Sequence, residues 1–168
     1  MSEQAGRYQR SAMGMVGAMI VLLAVIGAYV AFRAVNRTDP ESPVRAVDYE
    51  QTLSYARDQA DFPVLAPAEL PSGWRATSVT FTPQPTRWHL GLLTDRDHYV
   101  GIEQSRGALP DMVHKYVDPE AERGRIVQVD GQGWRTWTDS GGDTALTQVR
   151  DGVTTLVVGT AGLDVLED

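Results

Sequence analysis

The chain is expected to fold as an α+β protein, with an N-terminal transmembrane helix ahead of one antiparallel sheet of about seven strands and one or two packed helices. Three observations lead there. Residues 12–32 form a run of 21 residues without charge or proline. Beyond Trp74 the composition changes to short β-branched or aromatic runs divided by turn residues. The last four of those runs are joined by Asp130-Gly131, Gly141-Gly142 and Asp151-Gly152, all hairpin signals. A β-sandwich is the alternative arrangement of the same strands.

Taken in order, residues 1–11 are a short tail carrying Arg7 and Arg10. The run at 12–32 covers roughly 30 Å as a helix, which is the thickness of a bilayer's hydrocarbon core. A cleaved signal peptide is disfavoured, because the run exceeds a signal h-region and its end offers no pair of small residues at a cut site. Two arginines flank each end, Arg7 and Arg10 before and Arg33 and Arg37 after, so flanking charge leaves orientation tied. The brief positive tail favours a cytoplasmic N-terminus and an extracytoplasmic main domain on a single-pass cell-membrane anchor. Gly14/Ala18 and Ala24/Ala28 are small-xxx-small pairs of the kind that let two helices approach.

Residues 33–46 read as a tether, with Pro40 and Pro43 ending any helix. The folded domain is expected over 47–168. It opens with a helix whose N-cap is Asp48, with Gln51 at the capping-box position. Tyr49, Leu53, Ala56 and Ala60 share one stripe, and the helix ends before Pro63. Strands are expected near 74–82, 87–94, 98–105, 125–129, 133–139, 144–150 and 153–160. A helical turn falls at 109–116, followed by a charged loop at 118–124. Val153 to Gly159 is apolar or Thr throughout, so it reads as a central strand covered on both faces.

Matching apolar faces fixes one hairpin. A three-residue loop at 95–97 pairs Leu92 with Val100 and Leu90 with Ile102, which gathers Trp88, Leu90, Leu92, Val100 and Ile102 on one face. The other face then carries Leu93 by Tyr99, Gly91 by Gly101, and His89 by Glu103. Paired glycines leave a shallow trough into which a helix or a ligand could fit. His89, Gly91, Tyr99, Gly101 and Glu103 are therefore the candidate ligand or partner site, with a packed helix as the structural alternative.

Other chemistry is sparse. The chain has no cysteine, which excludes disulfides and a lipidated cysteine. Asp95, Asp97 and His98 resemble hard metal ligands but have the composition of a polar turn, and the same holds for Asp139 to Asp143, so no metal and no cofactor is expected. His114 and Lys115 read as a solvated helix face. No nucleophile elbow, phosphate loop or zinc-protease motif is present, and no catalytic residue is assigned. Residues 1–37 carry four arginines and Glu3, a net +3, which leaves −10 of the chain's −7 for residues 38–168. Nucleic acid is a poor partner for such a domain. Trp74, Trp88, Trp134 and Trp137 offer a stacking platform, although core packing is the commoner use.

Several segments together carry a resemblance: Val47-Asp48-Tyr49, Phe62 to Pro67, Leu70 to Trp74, the Tyr99-Val100-Gly101-Ile102-Glu103-Gln104-Ser105 strand, Val129-Asp130-Gly131 before Trp134, and Val158 to Ala161. In this order behind a single span, they resemble the actinobacterial family catalogued as domain of unknown function 4245. Fourteen arginines against one lysine suit a GC-rich genome. The resemblance implies a membrane-anchored cell-envelope protein and carries no activity or site residues. A helix start is expected at Leu163, and because the chain stops at Asp168 soon after it, a longer closing helix is expected to be missing here. Two function classes follow. The first is a non-catalytic envelope module contacting the bilayer through 12–32 and another envelope protein, a cell-wall polymer or a lipid through its domain. The second is an envelope enzyme using His89 and Glu103 as an acid–base pair.

Overall fold

In the computed structural model the chain forms two compact units, residues 1–43 and 44–168. The structure describes residues 5–35 and 45–167, with side chains at 14–29, 32 and 45–167. The first unit is one helix, α1 (Ala5–Val35). Its described side chains stop short of the 21-residue apolar run, and among the described residues no helix is long and apolar enough to cross a membrane. What is established at 12–32 is therefore a helix, against the expectation of a span. The tether expected over 33–46 falls largely on 36–44, outside the described residues, and Pro40 and Pro43 lie there too.

The second unit is a single seven-stranded antiparallel sheet, in place of a sandwich. Its strands are β1 (Arg75–Pro83), β2 (Thr86–Leu93), β3 (Tyr99–Ser105), β4 (Glu122–Val129), β5 (Gln132–Thr138), β6 (Thr144–Arg150) and β7 (Val153–Gly159), in the spatial order β1-β2-β3-β7-β6-β5-β4. The meander from β4 to β7 forms as the turn signals require, with Asp130-Gly131 and Asp151-Gly152 both left-handed. Strand β7 occupies the middle of the sheet, as its unbroken apolar composition predicts.

Two apolar clusters lie on opposite faces. On the first face, Trp88, Leu90, Leu92, Val100, Ile102, Leu146 and Val153 pack with helix α2 (Glu50–Gln59), with Phe62 and Val64, and with the short helix α4 (Leu163–Leu166). On the second, Ala145, Leu156 and Val158 receive Met112 and Val113 of helix α3 (Leu109–Tyr116). The α2 stripe is as expected, with Tyr49, Leu53 and Ala56 buried. Its cap is not. The N-cap is Tyr49 without a side-chain bond, and Asp48 Oδ1 instead accepts the Glu50 N–H at 3.1 Å.

Strand β4 starts at Glu122, inside the stretch expected to be a charged loop. The reason lies in its partner: β5 offers a ladder as far as Thr138, and a bulge between Arg123 and Ile126 lets the charged segment follow it. The bulge, the exposed arginines and the solvent-facing side chains also protect this edge from pairing with other chains.

Candidate functional site

The β2–β3 hairpin has the register that its apolar faces demand, with Leu92 opposite Val100, Leu90 opposite Ile102, Gly91 opposite Gly101 and His89 opposite Glu103. The loop is closed by Thr94 N–H donating to His98 O, and Asp97 takes a left-handed φ of 60°. The glycine trough exists but does not receive a helix. Tyr99 folds back along its own strand and fills it. A Cβ on Gly101 would stand 2.7 Å from the Tyr99 hydroxyl, and one on Gly91 would stand 3.2 Å from the ring. The five candidate residues His89, Gly91, Tyr99, Gly101 and Glu103 are thus brought together as one self-filled patch.

A sixth residue joins them from β1. Ser78 Oγ lies 2.8 Å from His89 Nε2, and His89 Nδ1 lies 2.5 Å from Glu103 Oε1. An ionised carboxylate only accepts, so the Nδ1–H donates to Glu103 and Nε2 accepts the Ser78 hydroxyl proton. The chain of bonds crosses three strands. Glu103 is buried, while Ser78 and His89 are half-buried.

The β1–β2 hairpin aims Ser78 this way, since its ladder runs unbroken from Pro83 opposite Thr86 to Ser78 opposite Gly91. The β1–β2 register slips by one between Ala76 and Ser78, which leaves Thr77 as the extra residue of a bulge. An unbroken ladder would set Ala76 opposite Leu93 on the second face; the bulge sets it opposite Leu92 on the first. The sequence carries a trace of this. Ala76, Val79 and Phe81 all join the first-face core, and their spacing of three and then two breaks strict alternation.

Burial pushes the Tyr99 phenol above its ordinary pKa, helped by the charges of Glu103 and Tyr116. The phenol therefore keeps its proton at neutral pH and remains a donor beside Ser78. It lies 3.3 Å from the place of the absent Gly91 Cβ, and Ser78 Oγ lies 2.3 Å from the same place.

The first face holds a second candidate that sequence reasoning missed. An open cleft of about 1450 Å³ runs between the sheet and the segments at 61–71 and 162–166. Half-buried Trp74, Trp134 and Val157 are among its apolar lining, while Ile102, Leu146 and Leu166, which also border it, are buried in the core. Hydrogen bonds hold its roof: Gln104 Oε1 accepts Leu65 N–H at 2.6 Å, Gln104 Nε2 donates to Pro63 O and Thr155 Oγ1, and Trp88 Nε1 donates to Leu65 O. Six carboxylates, from Asp61, Glu69, Asp95, Asp130, Asp151 and Asp164, reach its lining against three arginines, Arg96, Arg106 and Arg150. Two of those arginines are engaged, Arg106 with Asp61 at 2.7 Å and Arg150 with Gln132 at 3.2 Å. No sequence motif announces the cleft, because its walls come from strands and connecting segments distant in the chain.

The remaining candidates are structural. Asp97 pairs with Arg75, and Asp139 Oδ1 accepts the Asp143 N–H at 2.7 Å to close a turn. Among the described residues no three His, Asp or Glu side chains come together to hold a metal ion. Trp88 is core, Trp137 bonds Thr147 on the second face, and Trp74 and Trp134 line the cleft, so the four tryptophans form no common platform. His114 and Lys115 are exposed.

The chain matches the family described as protein of unknown function DUF4245 over residues 7–168, and it belongs to that family. No curated protein and no solved structure matches it.

Proposed function

We propose that this DUF4245 member is a membrane-anchored, extracytoplasmic binding module of the bacterial cell envelope, and that the open cleft on the first sheet face takes a lipid acyl chain against Trp74, Trp134 and Val157. The observation that carries the reading is the cleft itself. Its 1450 Å³ exceeds the ~300–1,000 Å³ usual for compact small-molecule pockets. A ligand larger than a compact metabolite suits such a space, its apolar part against Trp74, Trp134 and Val157, and the acidic excess around it favours a neutral or cationic polar end.

Anchoring is supported by the sequence. The 12–32 run is apolar on all sides of its helix, and Met15, Ile20, Leu23, Val25 and Phe32 are each more than half exposed. A helix without a polar face belongs in a core or a bilayer. An anchored module also meets lipid at high effective concentration, which offsets modest affinity.

Titration of the full-length protein, held in amphipol, with long-chain acyl fluorophores tests the ligand class. A probe with an amine head should bind saturably and more tightly than its carboxylate counterpart. Val157→Trp, which fills the cleft floor, should weaken binding at least about tenfold, or about 1.4 kcal/mol. Unsaturable binding, or equal binding by the variant, would remove the cleft as the site.

A further inference from the structure

We infer that Ser78, His89, Glu103 and Tyr99 form an acyl-transfer site on the second sheet face, with Ser78 as a nucleophile toward small carboxylic esters. This goes beyond the binding reading and uses a different face of the sheet.

The argument is geometric. A serine hydroxyl is a weak nucleophile until a base accepts its proton, and the base must be held in the correct tautomer by a third group. Ser78 Oγ to His89 Nε2 is 2.8 Å, within reach for that proton, and the 2.5 Å contact from Nδ1 to Glu103 fixes the tautomer. The unbroken ladder of the β1–β2 hairpin sets Ser78 opposite Gly91, on the face that carries His89. Only a glycine at 91 leaves room for Ser78 Oγ, which stands in the space that a Cβ there would take. The Tyr99 hydroxyl borders that same space and stands where a donor can meet an oxyanion formed at Ser78. Helix α3 rests on β7 beside the buried Glu103 end of the relay, α2 belongs to the other face, and Ser78 and His89 remain half-buried.

The reaction balances with an ester and water alone. Ser78 Oγ attacks the carbonyl carbon while its proton passes to His89 Nε2, and the resulting oxyanion accepts the Tyr99 O–H. The carbon–oxygen bond to the leaving alcohol then breaks with its electron pair on that oxygen, which takes the proton from His89. Water, deprotonated by His89, attacks the acyl-Ser78 carbonyl. The Ser78 carbon–oxygen bond breaks, the proton returns to Ser78 Oγ, and the carboxylic acid leaves. Glu103 acts through His89 and is a positioning residue.

The test uses the full-length protein in amphipol with a reporter-bearing fluorophosphonate and p-nitrophenyl acetate. The expected result is covalent label on Ser78 and none on Ser105, with His89→Ala slowing labelling at least about a hundredfold. Tyr99→Phe should slow ester turnover by a similar factor. Glu103→Gln should lower kcat while leaving KM unchanged, which a purely structural contact would not do. His89→Gln, closer in size and polarity, stands in if His89→Ala does not fold. Absence of label on Ser78 in the folded wild type, or equal labelling without His89, would reduce the relay to a cross-strand hydrogen-bond chain. Neither outcome bears on acyl-probe binding in the cleft.

Discussion

Ser78 Oγ occupies space that a Cβ on Gly91 would need, at 2.3 Å from where that atom would stand. The two residues face each other at the end of the unbroken ladder that runs back from the β1–β2 turn. Gly91→Ala should therefore cost about 1–3 kcal/mol by overpacking, read as a lower urea midpoint. In a Ser78→Ala background the cost should shrink, with a coupling of about 0.5–3 kcal/mol. Additive losses would mean that Ser78 rotates away freely and is not held by His89.

The Tyr99 phenol gives a pH limb. Burial first, and the charges of Glu103 and Tyr116 after it, raise its folded pKa above the unfolded value near 10. Stability from this group is fully present below the unfolded pKa and is lost as pH rises through the folded one. Chemical denaturation across the alkaline range should show the loss, and Tyr99→Phe should flatten it. A limb of unchanged slope in the variant would assign it to another tyrosine, and Tyr49, also raised by burial, is the candidate.

Gln104 is the pin of the cleft roof. It is buried at 5% exposure and bonds Pro63, Leu65 and Thr155. Gln104→Ala leaves the Leu65 N–H without its partner and should cost about 1–3 kcal/mol. Hydrogen exchange should accelerate at 63–66 more than in β7. Uniform acceleration across the domain would deny Gln104 a local role.

A cysteine at Ser140 would be the chain's only one, and Ser140 is exposed in the β5–β6 turn. In intact cells, Ser140→Cys should react with a membrane-impermeant maleimide. Reaction only after lysis would reverse the proposed orientation.

Much of this fold was legible because its signals are local. Helix α3 at 109–116, the three hairpin signals from Asp130 to Gly152 and the β2–β3 register all follow from residue spacing. The start of β4 was not legible, since Glu122 to Gly124 has loop composition and owes its extension to β5. The site was half legible. His89, Gly91, Tyr99, Gly101 and Glu103 meet through one hairpin, whereas Ser78 arrives from a third strand and Tyr99 turns inward through a rotamer that no spacing encodes. The cleft was invisible because its floor and roof join residues as far apart as Leu65 and Val165.

The central claim is that the first-face cleft holds an acyl chain in the envelope. Photocrosslinking of full-length protein in living cells fed a diazirine-bearing fatty acid, followed by peptide mapping, tests it most directly. The account predicts adducts within 129–134, 146–157 or 63–74, diminished by Val157→Trp. Adducts confined to residues 12–32, with none in the domain, would show contact with bulk lipid alone and contradict it.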